Sequence, residues 1–136
     1  GYEVRTHNGT RGTGKRPVEF SRQLEQAGVG EIVVNSIDND GEMKGYDLQL
    51  AGAIRDAVSV PLTILGGAGS LEDIKSLVRA FGIIGASAGS LFVFKGVYRA
   101  VLINYPSSRE KDDLIRSAGP PGPIPTTKSF PAPGQP

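Results

Sequence analysis

The chain has 136 residues, with 15 lysines and arginines against 14 aspartates and glutamates, and a formal net charge of +1. This length predicts one domain, and the near balance of charge argues against a nucleic-acid binder, which would have a basic surplus. The lack of cysteine and the single histidine exclude disulfide frameworks, thiolate sites and multi-histidine metal sites. No apolar run approaches the roughly 18 residues of a membrane span, so we predict a soluble, cytoplasmic protein that does not bind membranes.

The C-terminal end differs in composition from the rest of the chain. Seven of the ten prolines lie between Pro120 and Pro136, and every acidic residue precedes residue 118. Proline, glycine and serine at this density favour disorder over a packed core. We therefore predict a folded domain over residues 1–117 and a disordered Pro/Gly-rich tail over residues 118–136.

A hairpin and a helix are the first elements predicted along the chain. The dipeptide Asn8-Gly9 tolerates the positive φ angles of a tight turn, which predicts a short, exposed hairpin around it. Pro17 suits a first helical turn, and apolar residues at three- to four-residue spacing continue the pattern until Gly28. The first helix is therefore predicted over residues 17–27.

Strands and helices alternate after this point. Residues 31–37 form an apolar, β-branched run too short for a helix, and the lack of alternation predicts a strand buried on both faces. Similar runs predict strands over residues 60–65 and 82–87, separated by helices over residues 48–58 and 71–81. This order is typical of consecutive βα units with a parallel sheet.

Helix boundaries are indicated by single residues. Asp47 and Ser70 directly precede two of the apolar stripes and are predicted to cap those helices. A last helix is predicted over residues 97–102, ending before Pro106.

The number of strands limits the fold. A (βα)8 barrel needs about 250 residues, so three buried strands and a hairpin are too few to close one. Apolar strands are nonetheless costly to leave uncovered at an edge. Two interpretations remain open: a small open α/β sheet, or half of a (βα)8 barrel whose other half is absent or supplied by a second copy.

Three loops at the carboxyl ends of the predicted strands contain the residues best suited to chemistry, over residues 36–41, 66–70 and 85–90. Ligands of parallel α/β folds bind at this edge. Glycine-rich loops allow backbone N–H groups to approach an anion, so the last two loops together predict a phosphate site. The alternative for the loop at 66–69 is a tight strand-to-helix turn.

The first of these loops also resembles a calcium-binding loop in part. The matching positions are Ser36, Asp38, Asp40, Gly41 and Asp47. The first position is serine, the last is aspartate rather than glutamate, and a strand precedes the loop, so we predict no metal here. A simple turn is a second interpretation, and a carboxylate placed for proton transfer beside the phosphate loops is a third.

Residues 30–47 read GEIVVNSIDNDGEMKGYD and strongly resemble the cyclase subunit (HisF) of imidazole glycerol phosphate synthase. The similarity continues through GGAG at residues 66–69 and GSLFVF at residues 89–94, and covers about residues 1–105. The resemblance implies an α/β fold, namely the C-terminal half of a (βα)8 TIM barrel with the strand-five hairpin and three βα units.

The resemblance also implies a function. Members of the family join ammonia from glutamine to a phosphorylated ribonucleotide and form imidazole glycerol phosphate in histidine biosynthesis. The implied partners are therefore a HisH-type glutaminase subunit, which sends ammonia through the barrel, and the phosphorylated ribonucleotide substrate. No cofactor is implied.

Individual residues receive roles from the same resemblance. Those that match a substrate-phosphate site are Gly66, Gly67, Gly89 and Ser90. Those that match the substrate-facing end of strand six are Asn35, Asp40 and Gly41, with Asp40 as the catalytic candidate. Glu31, at the opposite end of that strand, matches a gate for ammonia.

Departures from the family pattern define two alternatives. The family's two principal catalytic aspartates match no residue here, so we expect this chain alone to lack cyclase activity. Residues 98–106 (YRAVLINYP) are more similar to a paralogous branch that supplies ammonia for amidating a surface-polysaccharide sugar. The second alternative is a non-catalytic, phosphate-binding half-barrel that associates with itself.

Overall fold

The computed structural model describes residues 1–96 and 98–120, so most of the predicted disordered tail lies outside the described residues. The elements in chain order are β1 (Arg5–Thr6), β2 (Arg11–Gly12), α1 (Pro17–Gln26), β3 (Ile32–Asn35), α2 (Leu48–Arg55), β4 (Leu62–Leu65), α3 (Leu71–Phe81), β5 (Gly85–Ala86), α4 (Ser90–Val93), β6 (Phe94–Lys95), β7 (Ala100–Val101) and α5 (Ser108–Ala118). Within the described ranges, no helix is long and apolar enough to cross a membrane.

The first hairpin and helix are confirmed. β1 and β2 pair antiparallel around Asn8-Gly9, and both residues of this dipeptide have positive φ angles. Pro17 begins α1. Backbone N–H groups in the first helical turn have no acceptor within the helix, so the lack of an N–H in proline costs no hydrogen bond there. The Asn8-Gly9 turn and Pro17 were therefore sufficient to predict the hairpin and the start of the helix.

The alternation of strands and helices is confirmed as a parallel sheet. The strand order is β3-β4-β5, with β3 parallel to β4 and β4 parallel to β5. α2 and α3 connect these neighbours in turn. Because all three strands run in the same direction, their carboxyl ends meet at one edge.

The core lies on one face of this sheet. Ile32, Leu62 and Ile64 point into it and are at most 5% exposed. They belong to one buried cluster with Ile54 of α2 and Leu77 of α3. Removal of apolar surface from water between sheet and helices is the main stabilising contribution of this packing.

The opposite face contradicts the prediction that residues 31–37 are buried on both sides. Val33 is 60% exposed, and Glu31 and Asn35 are exposed as well. Alternate residues of a strand point to opposite faces, and the buried cluster accounts for only one of them. The apolar run predicted the strand correctly, but it did not show whether one or both faces of the strand are buried.

β3 lies at an edge of the sheet. The N–H groups of Ile32 and Ser36 donate toward the β4 side, to Pro61 O and Leu65 O, so the backbone groups of Val33 and Asn35 point away from β4. A cavity of about 950 Å³ runs along β3, between the segment that precedes β1, α1 and the loop after β3.

The C-terminal part corrects a second prediction. Residues 97–102 were predicted as a helix, but β6 and β7 pair antiparallel, with Phe94 opposite Val101. The turn contains Gly96 and Arg99 at positive φ, which a right-handed helix does not allow. The prediction was wrong because a short apolar run does not distinguish helix from strand.

α5 was not predicted, although the sequence contains its signal. Ser107 Oγ accepts from the N–H of Glu110, and the Glu110 carboxylate accepts from the Ser107 N–H at 2.8 Å. This reciprocal pair is a capping box, which a serine followed three residues later by glutamate indicates. Hydrogen bonds from Ser107 lower the pKa of Glu110, as expected for a carboxylate bonded in its charged form.

Candidate functional site

The parallel strands bring three loops to one edge, as predicted. The N–H of Ser36, just after β3, donates to Leu65 O at 3.0 Å, and the N–H of Ser87, just after β5, donates to Ile64 O at 2.9 Å. The loops that begin at Ser36, Gly66 and Ser87 therefore start side by side. We call them the first, second and third loops.

The first loop is a compact turn followed by a helix cap. The buried Ser36 carbonyl accepts from the N–H groups of Asn39 at 3.1 Å and Asp40 at 3.0 Å. Asp47 Oδ1 accepts from the Leu50 N–H and from the Tyr2 hydroxyl, which confirms Asp47 as the predicted cap of α2. Within the described residues, no group of three or more His, Cys, Asp or Glu side chains is arranged to hold a metal ion.

Two of the predicted substrate residues lie together in this loop. Asn35 Nδ2 donates to Asp40 Oδ2 at 3.5 Å, which is the long limit of a hydrogen bond. Both side chains are exposed, and both line the cavity along β3 together with Asp38. Gly41 follows directly. Asp40 is thus accessible and is held only weakly by its partner.

The second loop packs tightly against the first. A Cβ added to Gly66 would lie 2.6 Å from Ser36 O, and one added to Gly67 would overlap Gly45 O. Gly67 O in turn accepts from the Gly45 N–H at 2.8 Å. Glycine at these two positions therefore has a packing role that the sequence did not reveal.

The start of α3 already binds a carboxylate of the protein. Asp73 Oδ2 accepts from the N–H groups of Gly69 and Ser70, each at 2.9 Å, and Ser70 caps the helix as predicted. Asp73 therefore occupies two of the N–H groups of the second loop.

The third loop leads into α4 and has an open surface. Nothing lies within 4 Å of a Cβ built on Gly89, whose φ of −107° is one that other residues adopt. Its carbonyl accepts from the N–H groups of Phe92 and Val93. Ser90 begins α4. The predicted phosphate residues Gly89 and Ser90 therefore lie on the same edge as the second loop, without the crowding seen there.

Tyr46, which sequence reasoning missed, ties the first loop to the third. Its side chain is buried, and its hydroxyl donates to Ser87 O at 2.9 Å. Burial, with a smaller contribution from the charge of Asp73, raises the pKa of Tyr46 to about 12. The signal in the sequence is a tyrosine near the end of a loop, because a buried tyrosine ring packs in the core while its hydroxyl bonds to a neighbouring segment.

Glu31 lies at the opposite end of β3 and is not brought together with the other site residues. Its side chain is exposed, and Oε1 accepts from the Thr63 hydroxyl at 2.7 Å. Thr63 and Val33 are register partners in the sheet. Glu31 therefore stands at the amino end of the uncovered sheet face, whereas Asn35 stands at its carboxyl end.

The sequence pattern of a family described as histidine biosynthesis protein matches residues 1–99. The chain belongs to this family. A protein of Leptospira interrogans named "Putative imidazole glycerol phosphate synthase subunit HisF" is 54% identical over 114 residues, which are 84% of this chain and 45% of that protein. A Vibrio vulnificus protein with a similar name ending in hisF3 is also 54% identical over 114 residues, 84% of this chain and 44% of that protein.

Imidazole glycerol phosphate synthase subunit HisF of Thermobifida fusca is 47% identical over 94 residues, 69% of this chain and 36% of that protein. These relatives confirm the resemblance to HisF. The chain spans less than half the length of each of them. The family pattern ends at residue 99, so β7 and α5 lie beyond it.

The charges of this histidine biosynthesis family member are unevenly distributed at the site edge. The first loop carries the carboxylates of Asp38, Asp40 and Glu42. Lys44 Nζ lies 2.8 Å from Glu42 Oε2, and this hydrogen bond and charge lower the pKa of Glu42. A second cation comes from the β6–β7 hairpin, because Arg99 Nη2 donates to Gly41 O at 3.4 Å.

Proposed function

We propose that the chain is part of a cyclase-type subunit of imidazole glycerol phosphate synthase, with its substrate bound at the carboxyl edge of β3, β4 and β5. The main observation behind this proposal is that the Asn35–Asp40 pair and two glycine-containing loops lie at the same edge of the sheet. The HisF names of the relatives support the same activity. The reaction joins ammonia to a phosphorylated ribonucleotide and forms imidazole glycerol phosphate.

The proposed phosphate site lies between the second and third loops. Gly66 and Gly67 are buried after β4, and Gly89 and Ser90 follow the neighbouring strand β5 in a loop that Tyr46 ties to the first loop. Backbone N–H groups can bind phosphate without a basic side chain. We expect the open surface at Gly89 to be the side from which the phosphate approaches.

Asp40 is the proposed acid–base residue of this segment, with Asn35 and Gly41 beside it at the substrate. A carboxylate that is exposed and weakly bonded is free to exchange a proton with a ligand. Proton transfer by a positioned side chain contributes about 10²–10⁴-fold in rate. The principal aspartates implied by the family match no residue here, so turnover is expected only in a protein that supplies them.

Glu31 is the proposed gate for ammonia. Its place at the amino end of the uncovered sheet face, opposite the substrate end, supports an entry role. Ammonia released by a HisH-type glutaminase partner would pass Glu31 and Thr63 and move along the face that carries Val33 toward Asn35. The hydrogen bond between Glu31 and Thr63 would hold the gate carboxylate in position.

A second candidate function is the supply of ammonia for amidation of a surface-polysaccharide sugar. The observation that favours it is the length of the matches, which is 114 residues with two HisF-like relatives but 94 residues with the Thermobifida fusca subunit. Residues 98–106, which resemble the paralogous branch, include β7 beyond the family pattern. The two candidates share the ammonia route and differ in the acceptor.

A third candidate is a phosphate-binding half-barrel that associates with itself. The free edge of β3, the exposed Val33 and the cavity of about 950 Å³ form a surface on which a further strand would pair. A second copy of the chain would supply such strands. A monomer at micromolar concentration in sedimentation would oppose self-association.

Phosphate binding is tested by isothermal titration of the chain with inorganic phosphate. Gly89→Val adds a side chain where a Cβ has no neighbour within 4 Å, and Ser90→Ala only removes a hydroxyl. We expect both to weaken binding. Unchanged affinity in both variants would contradict the proposed site.

A genetic experiment tests which molecule receives the ammonia. The gene for the whole protein is expressed in a bacterial strain that lacks its own cyclase subunit, and growth without histidine is scored. Growth supports the cyclase, whereas failure of a stably expressed protein to restore growth would reject histidine synthesis and leave sugar amidation as the better candidate.

A further inference from the structure

The β6–β7 hairpin places a cation over the first loop. Its turn contains Gly96 and Arg99, and the Arg99 N–H donates to Gly96 O at 3.1 Å. Arg99 itself has a positive φ of 48°, which is uncommon for a residue with a side chain. The turn thus directs the Arg99 side chain to Gly41, which lies 58 residues earlier in the chain.

The charges on the first loop suggest why a cation here would favour a phosphorylated ligand. Asp38, Asp40 and Glu42 carry negative charge on the first loop, and Lys44 is paired with Glu42. A phosphate monoester carries about −1.5 to −2 charges near neutral pH, so these carboxylates would repel it. Backbone N–H groups alone carry no net charge to offset that repulsion.

Arginine suits this role because its planar guanidinium presents five donors and binds two phosphate oxygens at once. The hydrogen bond of Arg99 to Gly41 O is long, at 3.4 Å, and the positive charge of Arg99 also helps to lower the pKa of Glu42. A phosphate group, with its larger negative charge, would compete with Gly41 O and Glu42 for the guanidinium. The side chain is exposed, so a ligand can reach it.

We propose that Arg99 binds the phosphate group of the substrate and that the β6–β7 hairpin is the element that brings it to the site. This inference rests on the proposed phosphate-binding function. The family pattern ends at residue 99, so the return strand β7 that closes the hairpin is not part of that pattern.

Isothermal titration with inorganic phosphate tests the proposal on the whole chain. We expect Arg99→Gln to weaken binding about tenfold, because a charge-assisted pair is lost, and Arg99→Lys to recover part of the affinity. Arg109→Gln in α5 removes the same charge from an exposed position and should leave affinity unchanged. Melting temperatures are measured for all variants.

The outcomes separate this proposal from the phosphate site itself. If Gly89→Val weakens binding and Arg99→Gln does not, the inference on Arg99 is overturned and the site stands. A lower melting temperature in Arg99→Gln with unchanged affinity would show that Arg99 only tethers the first loop. Equal weakening by Arg109→Gln would show an unspecific charge effect, and no phosphate binding by the unmodified chain would reject both the site and Arg99.

Discussion

The second and third loops have similar glycine-rich sequences but different surroundings. At Gly66 and Gly67 an added Cβ would meet the backbone of the first loop, whereas nothing lies within 4 Å of one added at Gly89. The second loop is therefore a contact between two loops, and the third is an open surface. Glycine at position 67 therefore has a packing role that does not depend on a ligand.

This difference determines which substitutions report on function. A change at Gly67 disturbs the packing of the first loop, which carries Asp40, so any loss of binding would have two causes. A change at Gly89 leaves the neighbouring atoms in place. The following predictions test this contrast, from the largest expected effect to the smallest.

Gly67→Ala should reduce the free energy of unfolding by about 3–4 kcal/mol. Its Cβ would overlap Gly45 O, and its φ of 106° strains any residue other than glycine. Urea denaturation followed by circular dichroism measures the change. A loss below about 1 kcal/mol would show that the two loops separate easily and would break the contrast with Gly89.

Asp40→Asn should lower kcat and kcat/KM together, about 100-fold, in the whole enzyme that contains this segment. Asp38→Asn is the matched control on the same turn and should have a smaller effect. Steady-state kinetics and thermal melts are measured for both. If Asp40 is only a turn residue, its loss should instead reduce stability by about 1 kcal/mol, and wild-type turnover would remove it from the site.

Alkaline pH should loosen the tie between the first and third loops. Burial raises the pKa of Tyr46 to about 12 from the usual tyrosine value of 10.0, so the folded state favours the neutral phenol. Its stabilising contribution is fully present below pH 10 and is lost as the pH rises to 12, by about 2 kcal/mol. Denaturation at pH 8, 10 and 12 measures this loss.

Tyr46→Phe provides the control for the alkaline effect. It removes the hydrogen bond to Ser87 O and should destabilise the chain by about 1 kcal/mol at neutral pH. The same variant should lose less stability than the unmodified chain between pH 10 and 12. An identical alkaline loss would assign the effect to other groups, of which Tyr2 is one, because burial and Asp47 raise its pKa to about 12.

Gly89→Ala should change the free energy of unfolding by no more than about 0.5 kcal/mol. The φ of −107° at this position is allowed for alanine, and the Cβ would enter open space. Denaturation beside Gly67→Ala gives the comparison directly. A loss similar to that of Gly67→Ala would show that the third loop is as crowded as the second.

The sequence predicted elements correctly where they depend on contacts between residues close together in the chain. The hairpin at Asn8-Gly9 and the caps at Asp47 and Ser70 depend on residues three to seven positions apart, and all were predicted correctly. The helix over residues 97–102 was wrong because pairing of Phe94 with Val101 overrode a weak local pattern. α5 has a local signal at Ser107 that was overlooked.

The sequence by itself determined the βα alternation, the parallel sheet and the membership of the histidine biosynthesis family, because periodicity, caps and the motif at residues 30–47 are local properties. Only the tertiary structure decided that Val33 on one face of β3 is exposed, that Gly67 packs on Gly45, and that Tyr46 and Arg99 reach distant loops. These contacts join residues far apart in the chain. Their formation depends on how the layers pack, which no single stretch of sequence specifies.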